Sequence, residues 1–134
     1  LLENIRLLES ENIIEQVRRT TAPYLSETWL KLESHPLVGE ARTVGMLGAI
    51  ELSPDPKTRA PFKAAPGTIG LITRDICIKN GLIMRHVYDK MIISPPLIIN
   101  KEQIEHLVDL AWSCLDEAEK TIRQEGLMEI GTRN

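Results

Sequence analysis

The sequence is poor in the residues that form several kinds of site. Only two of its 134 residues are cysteines, three are histidines, and aromatic residues make up 4%. No two histidines have metal-ligand spacing on one predicted element, and no cysteine or carboxylate joins them, so a metal site is not expected. No apolar run approaches the ~20 residues of a membrane-spanning helix, so a membrane is not an expected partner.

The sequence also lacks a strong excess of charge of either sign. Charged residues make up 26% of the chain, the formal net charge is −3, and no basic cluster stands out. Phosphate binding needs a concentrated positive surface, so nucleic acid is not an expected partner. With 43% hydrophobic residues, the composition is that of one globular domain with one core, and we predict a single domain over residues 1–134.

The two cysteines indicate the compartment in which the protein occurs. Cys77 and Cys114 lie far apart in helical patterns with apolar neighbours, which predicts buried free thiols in a cytoplasmic protein.

The chain begins without methionine, and residues 1–8 already have apolar side chains at helical spacing. We therefore expect the C-terminal piece of a longer protein.

Hydrophobic spacing and turn residues predict the order helix, hairpin, helix, hairpin, helix. A helix over 12–33, kinked at Pro23, would follow the end of another helix at 1–9. The remaining elements are strands at 38–43 and 46–52, a helix at 68–80, strands at 82–87 and 90–94, and a long helix between Asn100 and Gly126. The expected fold is α+β, a small, mostly antiparallel sheet with helices packed on one face.

Arg85 is the residue that this patterning explains least. It lies in the stretch LIMRHVYDKMIISPPLII, residues 82–99, between three apolar residues and His86. Burying an unpaired guanidinium is prohibitive. Arg85 must therefore reach solvent, pair with a carboxylate of its own chain, or bind an anionic ligand, for which its planar fork of donors is suited.

The other candidates for chemistry are weaker. His35 precedes a proline and His106 lies off the inner stripe of the last helix, so both are predicted to be structural or solvated. His86 shares a strand with Arg85 and stays a candidate. No serine has the surroundings of a nucleophile elbow, and most carboxylates fall on polar helix faces. No catalytic residue is assigned within this chain.

Three blocks of sequence, in this order, carry a resemblance to a known family. They are V-G-E-x-R-x-x-G-x-x-x-x-I-E-L (Val38 to Leu52), G-L-I-x-R (Gly81 to Arg85) and SPPLII (Ser94 to Ile99). Together they resemble the C-terminal segment of the class III, pyridoxal-phosphate-dependent aminotransferases, especially the omega-amino acid:pyruvate transaminases. The resemblance runs from the helix at 12–33 to the final helix.

The resemblance implies a fold-type I enzyme in which residues 1–134 form the small domain, while a large domain outside this chain binds most of the pyridoxal 5'-phosphate. It implies that Arg85 faces the active site and binds a substrate carboxylate, with His86 and Tyr88 in a substrate-side loop. The implied partners are an amino donor, a keto acid such as pyruvate, the large domain of the same enzyme, and a second copy in a homodimer.

Two departures from the family pattern limit what this chain can do. The family's chemistry needs a lysine that forms a Schiff base with the cofactor, and none of the seven lysines here lies in a matching motif. No cofactor-binding residue is therefore expected within the chain. The family usually has a glycine before the aspartate of the hairpin turn, whereas Tyr88 precedes Asp89 here, which affects the expected shape of the substrate-side loop.

Two alternatives stay open at this point. The longer protein could be an aminomutase, a racemase or a decarboxylase-like relative, because one fold serves many reactions. The chain could instead be a non-catalytic α+β module that binds a ligand or a protein partner, in which case Arg85 would be exposed or paired within the chain.

Overall fold

The computed structural model describes residues 2–132 and contains the predicted order of elements. Helix α1 spans Leu2–Ser10, and a second helical run consists of α2 (Ile13–Gln16), a π-helical turn (Val17–Thr21), α3 (Ala22–Trp29) and a 3-10 turn (Leu30–Ser34). Strands β1 (Val38–Val44) and β2 (Leu47–Leu52) precede helix α4 (Thr68–Lys79), and strands β3 (Arg85–Val87) and β4 (Lys90–Ile93) precede helix α5 (Lys101–Gln124).

The four strands form one antiparallel sheet in the order β1-β2-β4-β3. Side chains alternate between two faces along each strand, so residues that lie opposite one another in neighbouring strands share a face. On the inner face, Ile50 lies opposite Ala41 and Met91, and all three are buried. Helix α3 packs against β1, α4 packs against β3 and β4, and α5 packs against both helices. The predicted α+β fold is confirmed.

The long C-terminal helix forms where its sequence predicts. The Asn100 side chain accepts a hydrogen bond from the backbone N–H of Gln103 at 2.8 Å, and the Gln103 side chain accepts one from the backbone N–H of Asn100 at 3.0 Å. This capping box supplies partners for backbone groups that a helix end leaves unpaired. The stripe from Ile104 to Ile122 faces the core, with Ile104 and Ile122 fully buried.

The second helical run departs from the prediction. It is not one helix kinked at Pro23, because a π-helical turn at Val17–Thr21 precedes the proline, which then lies in the first turn of α3. A π-helical turn contains more residues than an α-helical one, so it rotates the stripe of apolar residues. Ile13 is buried in this run, whereas Ile14 is 57% exposed.

The first strand of the second hairpin is shorter than predicted. Only Arg85–Val87 pairs with β4, while residues 82–84 have no ladder partner among the described strands. Leu82 and Met84 are nevertheless buried, and Ile83 between them is 86% exposed, so the alternation of faces extends beyond the ladder.

Candidate functional site

Arg85 lies on the outer face of the sheet, opposite the helices. The alternation that buries Leu82 and Met84 turns Ile83 and Arg85 outward, and the Arg85 side chain is exposed. The Arg85 guanidinium, although its neighbours in the sequence are apolar, therefore lies in solvent. Within residues 2–132, no hydrogen bond or ion pair of the Arg85 side chain is present, so its donors remain available to an anion.

The surroundings of Arg85 on the outer face are mostly apolar. Arg85 lies opposite Ile92 of β4, Ile92 lies opposite Ala49 of β2, and Ala49 lies opposite Arg42 of β1. Two arginines thus lie at the opposite edges of one row, with two apolar side chains between them. A shallow groove of about 350 Å³ lies over the β1 side of this row, lined by Arg42, Thr43, Val44, Leu47, Gly48, Ala49 and Ile92.

The next row of the outer face contains the carboxylates. Glu40 and Glu51 are opposite one another, and both accept from Nη2 of Arg59, at 2.5 Å and 2.7 Å. Lys90 lies 3.9 Å from Glu51, and Arg42 lies 3.6 Å from Glu40. The hydrogen bond to Glu51 raises the pKa of Arg59, and the charge of Glu40 adds to this. Both carboxylates are therefore already bound by cations other than Arg85.

The turn between β3 and β4 is fixed against the start of α4. Helix α4 has Gly67 at its N-cap, a residue with no side chain that could accept a hydrogen bond from the first turn. The Asp89 carboxylate takes that place: Oδ1 accepts from the N–H of Gly70 at 3.0 Å, and Oδ2 accepts from the N–H of Gly67 at 3.4 Å. Negative charge at a helix N-terminus is favourable, so the turn and the helix stabilise one another.

Tyr88 occupies the strained position of this turn. Its φ is +53°, a left-handed conformation that glycine adopts easily and a tyrosine adopts at a cost in free energy. The carbonyl of Tyr88 lies so close to Gly70 that a Cβ added to Gly70 would be 1.9 Å from the carbonyl oxygen. Tyr88 departs from the family pattern, which usually has glycine at this position, and the left-handed backbone is the physical reason why glycine suits it.

His86 lies on the other face of β3 from Arg85. It is opposite the buried Met91, and its Nε2 lies 3.4 Å from Nη1 of Arg74 on α4. Its Nδ1 is buried without a hydrogen-bond partner among the described residues. The structure therefore does not bring His86 together with Arg85, because neighbouring residues in a strand point to opposite faces.

The other two histidines lie where the sequence predicts. His35 is buried, its Nδ1 accepts from the N–H of Leu37 at 3.0 Å, and its Nε2 lies 3.1 Å from Asp116 of α5. It also packs edge-on against Trp112. His35 thus joins the chain before β1 to α5 and is structural, while His106 is exposed.

Asp89 and Arg59 are the residues of this region that sequence reasoning missed. The glycine before α4 indicates a helix start that needs a partner, but nothing local shows that the partner is 19 to 22 residues away. Charged residues at positions 40, 42 and 51 indicate a polar strand face, yet the loop arginine that joins two of them depends on how the loop folds back.

The lysines do not fit a covalent cofactor site in the chain as it stands. All seven are exposed or half-exposed. Lys63, Lys79 and Lys90 lie within 4.0 Å of a carboxylate, and Lys101 lies over the ring of Tyr24. A Schiff-base lysine works in a pocket that lowers its pKa or holds the cofactor beside it, and none of these side chains is so enclosed.

The part of the chain that the structure describes contains neither a metal-binding cluster nor a membrane-spanning helix. Between residues 2 and 132, no three side chains of histidine, cysteine, aspartate or glutamate come together as a metal site requires. Over the same residues, no helix combines the length and the apolar composition needed to cross a membrane.

Comparison with known proteins gives matches in both sequence and structure, although no family model matches the chain. It is 54% identical over 116 residues to putrescine–pyruvate aminotransferase of Pseudomonas aeruginosa, which covers 87% of this chain and 25% of that protein. It is 30% identical over 123 residues to gamma aminobutyrate transaminase 3 of Solanum lycopersicum, which covers 92% of this chain and 23% of that protein.

Solved structures agree with the sequence matches. The omega transaminase of Pseudomonas jessenii in complex with PMP superimposes with a TM-score of 0.81 and 30% identity, covering 91% of this chain and 26% of that one. An adenosylmethionine-8-amino-7-oxononanoate aminotransferase of Methanocaldococcus jannaschii superimposes with a TM-score of 0.79 and 28% identity, covering 88% of this chain and 26% of that one. The chain spans about a quarter of the length of the relatives it matches.

The fold and these similarities define the chain as an α+β domain of the kind found in transaminases. The order of elements, the antiparallel sheet and the sequence motifs all agree with this class. The chain belongs to the class III aminotransferases and matches their C-terminal segment.

Proposed function

We propose that this chain is the small domain of a longer enzyme that transfers an amino group from an amine or omega-amino acid to a keto acid such as pyruvate. The carrying observation is the 54% identity to a putrescine–pyruvate aminotransferase over 87% of the chain. Since the chain spans a quarter of that relative, a large domain outside it would complete the site, and we propose pyridoxal phosphate as its cofactor, held by residues of that domain.

Within this enzyme, Arg85 is the residue we assign to the carboxylate of the keto acid. Its exposure, its lack of a side-chain partner in residues 2–132 and the apolar neighbour Ile92 support the assignment. A guanidinium can bind a carboxylate through two parallel hydrogen bonds, which fixes the orientation of the acid as well as its charge. An unpartnered arginine can also move aside, which would admit a donor that has no carboxylate.

The assembly and the location of the enzyme are part of the same proposal. We propose a homodimer, since the exposed apolar side chains of this chain, Ile83 and Ile98 among them, need a cover that the chain itself does not supply. The buried free thiols Cys77 and Cys114 are typical of a reducing cytoplasm. An aminomutase or racemase on the same fold would lack net transfer of nitrogen to pyruvate.

The test is steady-state kinetics of the full-length enzyme and its Arg85→Gln variant. We expect kcat/KM for pyruvate to fall by about 10- to 100-fold, because a charge-assisted hydrogen-bond pair contributes ~1.5–3 kcal/mol. For an aldehyde acceptor of similar size, we expect kcat/KM to change by less than about threefold, because an aldehyde has no carboxylate for Arg85 to bind.

Arg42→Gln is the matched control, because Arg42 lies in the same row at the opposite edge of the sheet and is already 3.6 Å from Glu40. We expect it to change kcat/KM for pyruvate by less than about twofold. Equal losses in both variants, or equal losses for pyruvate and the aldehyde, would contradict the role of Arg85. An enzyme that transfers no amino group to any keto acid would refute the proposed function itself.

A further inference from the structure

Tyr88 lies at a left-handed position of the turn, and its place in the fold does not explain why that residue has a large side chain. It is held at φ +53°, and its side chain is 66% exposed. Its hydroxyl has no hydrogen bond within residues 2–132. A left-handed tyrosine is unfavourable, and no hydrogen bond or ring contact of its side chain among residues 2–132 offsets that cost. Residues whose backbone is strained in this way are concentrated at functional sites.

The turn around Tyr88 is held rigidly. Asp89, the next residue, accepts hydrogen bonds from the N–H groups of Gly67 and Gly70 at the start of α4. The Tyr88 carbonyl packs against Gly70, where there is no room for a Cβ. The backbone therefore presents the Tyr88 ring from a fixed position.

Tyr88 is also close to the residue assigned to the substrate carboxylate. It follows β3 directly in the turn, three positions after Arg85, so the two Cα atoms lie at most about 10 Å apart, and its left-handed backbone takes it out of the strand alternation. The side chains of arginine and tyrosine are each long enough to reach a small substrate between them. One offers a positive charge, and the other offers the electron-rich face of a ring, so the two favour opposite kinds of ligand.

We propose that Tyr88 is a specificity-determining residue whose ring receives the distal ammonium of a diamine donor. The inference rests on the proposed function, in which Arg85 binds the acceptor's carboxylate. A diamine has a second positive charge that Arg85 would repel, and an aromatic face attracts such a charge without a negative group that would reject the keto acid. Arg85 and Tyr88 would then serve the two halves of the reaction in turn.

The experiment compares two donors of equal chain length in the full-length enzyme. Butane-1,4-diamine has the distal ammonium, and butylamine does not. In Tyr88→Leu we expect kcat/KM for the diamine to fall by about 2- to 30-fold, the range of a cation–π contact. We expect kcat/KM for butylamine to change by less than about twofold. Tyr88→Phe keeps the ring and is expected to keep the diamine preference.

Tyr88→Gly gives a second variant that relieves the left-handed strain. We expect it to fold at least as well as the parent and still to lose the preference for the diamine, so a loss cannot be attributed to misfolding. Equal changes for both donors, or an unchanged preference in the leucine and glycine variants, would overturn this inference while leaving the proposed function in place. If the unsubstituted full-length enzyme transfers no amino group, both the role of Tyr88 and the proposed function are refuted.

Discussion

Arg85 and His86 are neighbours in the sequence, but they serve different sides of the sheet. Arg85 is exposed beside Ile92, whereas His86 lies over Met91 and near Arg74. A strand separates adjacent residues in this way whatever their chemistry. His86 was expected with Tyr88 in a substrate-side loop beside Arg85, but Arg85 lies on the outer face and His86 on the helix-covered face.

Cys77 is a residue whose protonation depends on burial. Burial raises the pKa of its thiol to about 12, and burial also raises the pKa of Cys114. The folded chain thus keeps Cys77 protonated between the ordinary thiol pKa of about 8.5 and about 12, where the unfolded chain has lost the proton. The unfolded state binds fewer protons in this range, so the free energy of unfolding falls as pH rises.

We expect this loss to be about 1.4 kcal/mol per pH unit for Cys77 above pH 9. Urea unfolding of the chain and of Cys77→Ala at pH 8, 9, 10 and 11 measures it. The variant should lose stability less steeply by about the share of one thiol, and Cys114, whose pKa the Cys77 side chain also affects, still contributes in both proteins. Identical slopes in the two proteins would show that Cys77 is not enclosed as the structure has it.

At the scale of elements, the second hairpin and α4 form one unit. The Asp89 carboxylate serves as the missing cap of α4, and the Tyr88 carbonyl fills the space beside Gly70. The position of Arg85 therefore depends on a helix that contributes no residue to the outer face. A defect at the start of α4 should move the hairpin as well as weaken the helix.

Gly70→Ala tests this coupling. A Cβ at Gly70 would meet the carbonyl oxygen of Tyr88 at 1.9 Å, so the backbone of one element must shift. We expect a loss of about 1–3 kcal/mol in the free energy of unfolding, as overpacking typically costs. Asp75→Ala on the same helix has a largely exposed side chain and is expected to change stability by less than ~0.5 kcal/mol. Equal effects of the two substitutions would contradict the coupling.

At the scale of the whole molecule, the described residues form one core, and several large apolar side chains lie outside it. Leu25, Trp29 and Ile104 are fully buried, so the helices and the inner face of the sheet form a continuous interior. The outer face and the segment after β4 instead expose large apolar side chains, including Ile83 at 86% and Ile98 at 74%. Patches of this kind mark surfaces that another part of an assembly covers.

The exposure of the lysines leads to a prediction about the cofactor. We expect that pyridoxal phosphate mixed with this chain alone, then treated with borohydride, gives only low, scattered labelling of lysines. The reason is that all seven lysines are exposed or half-exposed, without a pocket to select one. Mass spectrometry of tryptic peptides measures the labelling, with the full-length enzyme as the positive control. A stoichiometric adduct at a single lysine of this chain would contradict it.

The sequence determined the local structure of this protein. The period of the apolar residues located the hairpin at β1 and β2, helix α4 and helix α5, and the Asn100–Gln103 pair located the start of α5. These features depend on residues within a few positions of one another, which is the range over which helix caps and strand alternation act. The motifs that indicate the family are local in the same sense.

The tertiary structure decided what lies beside what. Strand order and register placed Arg85 in one row with Arg42, and they left the carboxylates of the next row to Arg59. The contact of Asp89 with the start of α4 joins residues 19 to 22 positions apart. Such pairings depend on how all the elements pack together. Each contact joins residues that are distant along the chain, and the local sequence around either residue does not indicate its partner.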